Sequence, residues 1–104
     1  MSRGPDAATL LERALIADAA RAGAAIAVIE GESRRWASAT FVGARHVLTL
    51  VAADSRQLAA WLGGLAEAEL PIRGHLVADI AVVSRTRAGG DVTAVVEALT
   101  VEER

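Results

Sequence analysis

The feature that most restricts the fold is a pair of β-branched, apolar runs, residues 75–84 and 92–101, set on either side of Gly89-Gly90. Gly-Gly between β-rich segments signals a hairpin, because tight hairpin turns need positive φ at their central residues. Pairing Ala88 with Asp91 and counting outward sets Val82 against Glu97, Ile80 against Leu99 and Ala78 against Val101. The other face then carries Val77, Asp79, Ala81 and Val83 beside Val96, Ala98 and Thr100. Both faces are largely apolar, and strands of that kind are ordinarily covered on both sides. A C-terminal helix capped by Asp91 is the competing reading; residues 94–99 tolerate either state, and strand is preferred.

A second hairpin is expected over residues 36–51. Gly43-Ala44 suits a two-residue turn with glycine at its first central position. One face would carry Ala37, Ala39, Phe41, His46, Leu48 and Leu50, suited to a core under helices. The other would carry Trp36, Ser38, Thr40, Val42, Val47, Thr49 and Val51, which is semi-polar rather than charged. Residues 25–29 read as a further short strand, ended by the polar group 30–35 with Gly31 in a turn.

Two stretches have helical periodicity. Asp6 is expected to cap a helix over residues 7–22 that places Leu11, Leu15, Ala19 and Ala22 on one face, with Gly23 as its stop. Asp54-Ser55-Arg56-Gln57 has the form of a capping box, followed by Leu58, Trp61, Leu62 and Leu65 at helical spacing and by Gly63-Gly64, which should end that helix early. Residues 65–74 read poorly, since Pro71 restricts any strand there to an edge. The expected architecture is a single α+β domain in the order α-β-β-β-α-β-β: a mainly antiparallel sheet with two helices, a two-layer sandwich. Residues 1–5 are expected to be disordered.

With 53% apolar but only 3% aromatic residues, the core of this 104-residue chain must be built from Ala, Val, Leu and Ile. The formal net charge of −2 lacks the basic footprint of a nucleic-acid binder, and no run reaches the length of a membrane span. No nucleic-acid or membrane partner is therefore expected, and the expected location is cytoplasmic. All eleven basic residues are arginine. The absence of cysteine removes thiolate nucleophiles and Cys-based metal sites.

Catalytic signals are sparse. Ser38, Ser55 and Ser84 lie outside any G-x-S-x-G elbow, and there is no phosphate-binding loop and no dinucleotide motif. Glu30 and Glu32 are read as a solvated pair, without further ligands for a metal. His75 and Asp79 share a strand face but sit roughly 13 Å apart at about 3.3 Å per residue, too far for a dyad. Asp79 stands in an apolar strand, where a carboxylate must be exposed, hydrogen-bonded or paired, with Arg85 or Arg73 as candidates. No metal and no cofactor is expected.

Two helices placed together leave one apolar sheet face uncovered. The leading expectation is a non-catalytic interaction or assembly module that self-associates through that face, as a homodimer or with another protein, with Trp36, Thr40, Val47, Val51, Val83 and Val96 as interface candidates. Helices split between the faces, or residues 65–74 folded over the second face, would instead give a monomer. From a different class comes a small-molecule-binding or enzymatic domain with a pocket near His46, Trp61 and Asp79.

Overall fold

A computed structural model describes residues 6–103; the expectation of disorder in residues 1–5 lies outside them. The element order is α1 (Ala7–Arg21), β1 (Ala27–Ala37), β2 (Val42–Ala53), α2 (Arg56–Gly64), a 3-10 turn (Leu65–Glu67), β3 (His75–Ala88) and β4 (Asp91–Glu102). The strands form one antiparallel sheet in the order β1-β2-β4-β3, so the chain is α+β with two helices. The expected order had one strand too many: residues 25–29, the polar group 30–35 and the start of the first hairpin make up the single strand β1 and its lead-in. Glu30, Glu32 and Arg34 tolerate strand geometry because β1 is an edge whose outer side meets water.

The first hairpin turns at Ser38–Phe41 rather than at Gly43-Ala44. Ser38 closes it: its backbone N–H donates to the Phe41 carbonyl at 2.8 Å, and its hydroxyl oxygen accepts from the backbone of Thr40 and Phe41. Gly43 lies inside β2, opposite Trp36 on one side and Val101 on the other. A Cβ there would collide with the Thr100 carbonyl and with the Trp36 indole, so glycine serves close approach instead of a turn. Gly31 is likewise a strand residue, lying over the Leu48 side chain.

The second hairpin turns at Gly89 and Gly90, both with positive φ, and pairs Ala88 with Asp91 as expected. Its outer register differs. β-Bulges at Val83 and Ala78 each insert one residue into β3, so Val82 faces Val96, Ile80 faces Ala98 and Asp79 faces Leu99. Each bulge exchanges the faces of the residues beyond it, which sends Asp79 to the face opposite Ile80 and Val96.

Both helices pack on one face. Leu11, Leu15 and Ala19 of α1 and Leu58, Trp61 and Leu62 of α2 share one core with Leu48, Leu50 and Ala52 of β2, with Val92, Ala94, Val96 and Ala98 of β4, and with Ile80. Asp6 caps α1 by accepting from the Thr9 N–H at 2.9 Å. The cap of α2 is Ser55, which accepts from Leu58 N–H at 3.0 Å; Asp54 instead pairs with Arg87 across the sheet end, also at 3.0 Å. The Trp61 indole N–H donates to Asp18 at 2.9 Å and ties α2 to α1. Residues 68–74 carry Leu70 and Ile72 into the buried set without forming a strand.

Two glycine substitutions separate close approach from mere permissiveness. Gly43→Ala should lower the free energy of unfolding by about 2–3 kcal/mol, because backbone has to shift. Gly63→Ala, on the open side of α2 with nothing near its Cβ, should raise it by up to about 1 kcal/mol. Denaturant unfolding at neutral pH measures both.

Candidate functional site

The sheet face under the helices ends in a polar site. His46 projects from β2 into that face and is 1% exposed. Its cross-strand neighbour on β1 is Ser33, and on β4 it faces Ala98, whose small side chain lets the imidazole lean toward Thr100 one pleat further along. The result is a hydrogen-bonded chain across three strands: Ser33 Oγ to His46 Nδ1 at 2.7 Å, and His46 Nε2 to Thr100 Oγ1 at 2.9 Å. Thr100 Oγ1 in turn lies 3.5 Å from the Ala44 carbonyl. A Thr100 hydroxyl turned to the Ala44 carbonyl leaves its oxygen to accept from Nε2–H, and Nδ1 then bears the lone pair to which Ser33 donates; a Thr100 hydroxyl turned to Nε2 gives the other tautomer, with Nδ1–H donating to Ser33.

An open cleft of about 1240 Å³ lies over this chain. The first turn of α1, the ends of β1 and β4, and the Arg73–His75 segment form its walls. Ser33 is solvent-exposed on the cleft lining, and His46 is the buried group behind it. Burial holds the His46 pKa below the usual histidine value, with the charge of His75 pushing the same way and the Asp6 carboxylate opposing it. His75 Nδ1–H donates locally to the Arg73 carbonyl at 3.1 Å. Arg35 and Glu102 pair at 3.6 Å across the cleft rim.

The three residues proposed from sequence to share a pocket do not meet. His46 lines the cleft, Trp61 is a core residue on α2, and Asp79 is exposed on the opposite face of the sheet, separated by the β3 bulges. Among the described residues Asp79 forms no ion pair with Arg73 or Arg85. No three His, Asp or Glu side chains among them gather to hold a metal ion. Ser33 is the residue that sequence reasoning missed: assigned to a polar loop, it had no partner until residues 30–35 became strand and set it opposite His46.

The other sheet face carries no helix. Its central strands present Val47, Thr49 and Val51 beside Val95, Leu99 and Val101, all partly or fully exposed. At one end Trp36, Phe41 and Leu76 extend this surface; Phe41 and Leu76 are 54% and 56% exposed. The Trp36 indole N–H is buried against the sheet without a hydrogen-bond partner among the described residues. Of the interface candidates, Trp36, Val47 and Val51 share this face, Thr40 sits in the turn at its end, and Val83 is exposed in a bulge. Val96 is buried under the helices, because the bulges change which β3 residues it accompanies and its own parity matches the core residues Ala94 and Ala98.

No protein-family model, no curated protein and no solved structure matches the chain. No helix among the described residues is long and apolar enough to cross a membrane.

His46 makes stability depend on pH. Its folded pKa is depressed, so the unfolded chain binds a proton that the folded chain disfavours. The free energy of unfolding should be full above pH 6.5 and fall as the pH drops through the folded pKa. Urea unfolding between pH 7.5 and pH 5 measures this slope, and His46→Gln should flatten it.

Proposed function

We propose that the protein is an assembly module that forms a two-fold homodimer by packing the helix-free face of its sheet against the same face of a second copy. The observation that carries this reading is the one-sided placement of the helices over a sheet whose other face presents Val47, Val51, Val95 and Leu99 among hydroxyl and charged side chains. Val47 and Leu99 lie diagonally across β2 and β4, opposite Glu97 and Arg45, and Trp36, Phe41 and Leu76 supply large side chains of the kind that anchor interfaces.

Charge supports a copy of the same chain as the occupant. Arg34 and Arg45 stand directly opposite each other on this face, and like charges so placed repel. Among the described residues neither is in an ion pair, and Glu30, Glu32, Glu97 and Asp79 share the face with them. A face that carries both signs is self-complementary, as an isologous contact requires. Area is adequate too. Four strands at about 4.8 Å spacing and eleven paired residues at about 3.3 Å give roughly 700 Å² per copy, near the ~800 Å² per partner of a standard interface.

Light scattering across a dilution series should give about twice the 10.8 kDa chain mass at high concentration, falling toward the chain mass on dilution. Val47→Asp should give a folded monomer at every concentration, with circular dichroism unchanged, because the position is exposed within one chain. A wild-type protein that is monomeric at millimolar concentration would refute the reading.

A further inference from the structure

The Ser33–His46 contact joins a hydroxyl on the cleft lining to a buried imidazole, and the tautomer with its lone pair on Nδ1 is the one that activates the hydroxyl. Nucleophilic serine needs a base within hydrogen-bond reach whose lone pair faces it and whose other nitrogen is held. Here Nδ1 faces Ser33 at 2.7 Å and Nε2 is held by Thr100 at 2.9 Å. The ring nitrogens are used in the opposite sense to the serine-protease triad, and a hydroxyl stands where that triad has a carboxylate. Such a chain orients the base without adding charge to it; the nearby Asp6 carboxylate supplies the negative charge that favours the imidazolium once formed.

We propose that Ser33 is an activated nucleophile and that the cleft over it hydrolyses small esters. Ser33 Oγ attacks the ester carbonyl carbon while His46 Nδ1 takes its proton. The ester C–O bond breaks and that proton passes to the departing alkoxide, leaving Ser33 acylated. Water then attacks the acyl carbon, again losing a proton to Nδ1; the acid departs and Ser33 Oγ recovers its proton. The cleft lining balances Arg13, Arg35 and Arg73 against Asp6, Glu102 and Glu103. This site lies on the helix face, so it stands or falls separately from dimerisation through the opposite face.

The test is reaction of the full chain with a fluorophosphonate probe, whose phosphorus takes the place of the carbonyl carbon and releases fluoride. Peptide mapping should find the adduct on Ser33, and Ser33→Ala should abolish it without loss of fold, the position being exposed. The labelling rate should rise with loss of one proton whose midpoint lies below pH 6.5, as the facing groups Asp6, Arg13, Arg35, Arg73, His75 and Glu102 leave His46 the base. His46→Gln should slow labelling on the order of 10²-fold. Labelling of Ser38, Ser55 or Ser84 at the same rate, or a rate unchanged in Ser33→Ala, overturns the proposal; so does a flat pH profile in the wild-type chain, which needs no variant to fold.

Discussion

Side chains leave a β-strand alternately to its two sides, and this chain supplies helices for one side only. That asymmetry governs the rest of the structure. Along β2 and β4 the even-numbered residues from Leu48 to Ala52 and from Val92 to Ala98 meet Leu11, Leu15, Trp61 and Leu62, while the odd-numbered ones face away. With so few aromatic side chains, close approach replaces bulk: Ala19, Ala52, Ala94 and Ala98 let helix and sheet backbones come together. Each buries little area, so the Asp18–Trp61 hydrogen bond between the helices and the two side-chain caps contribute a larger share of stability than they would in a bulkier core.

The polar end of the same face obeys the same parity. His46 and Thr100 occupy core-facing positions where the helices no longer cover the sheet completely, and each satisfies the other's hydrogen bond. Losing either partner leaves a buried polar atom unpaired, at a cost of about 1–3 kcal/mol. The chain from Ser33 through His46 to Thr100 thus locks β1, β2 and β4 in register at the end where apolar packing runs out. The contacts that fix the register also hold the imidazole beside an exposed hydroxyl.

Much of this was legible in the residues. The cap at Asp6, the Leu11–Leu15–Ala19 stripe, the Leu58–Trp61–Leu62 face and the Gly89-Gly90 turn each rest on local chemistry, and local chemistry is what a sequence displays. Long-range choices were not legible. Gly43 was ambiguous between a positive-φ turn and a close approach, and only the Thr100 carbonyl on β4 decides it. The bulges at Ala78 and Val83 leave no mark in a largely apolar run, yet the one at Val83 moves Asp79 to the other face. Ser33 carried no signal in its polar surroundings, because its significance comes from a partner thirteen residues away across the turn.

In the proposed dimer a second copy covers the helix-free face, and solvent paramagnetic relaxation of methyl-labelled protein reads the exposure of each side chain there. The methyls of Val47, Val51 and Leu99 should be shielded at high concentration and become accessible on dilution, while Ile16 on the outer side of α1 stays accessible throughout. Equal relaxation of the open-face methyls at every concentration would contradict the dimer.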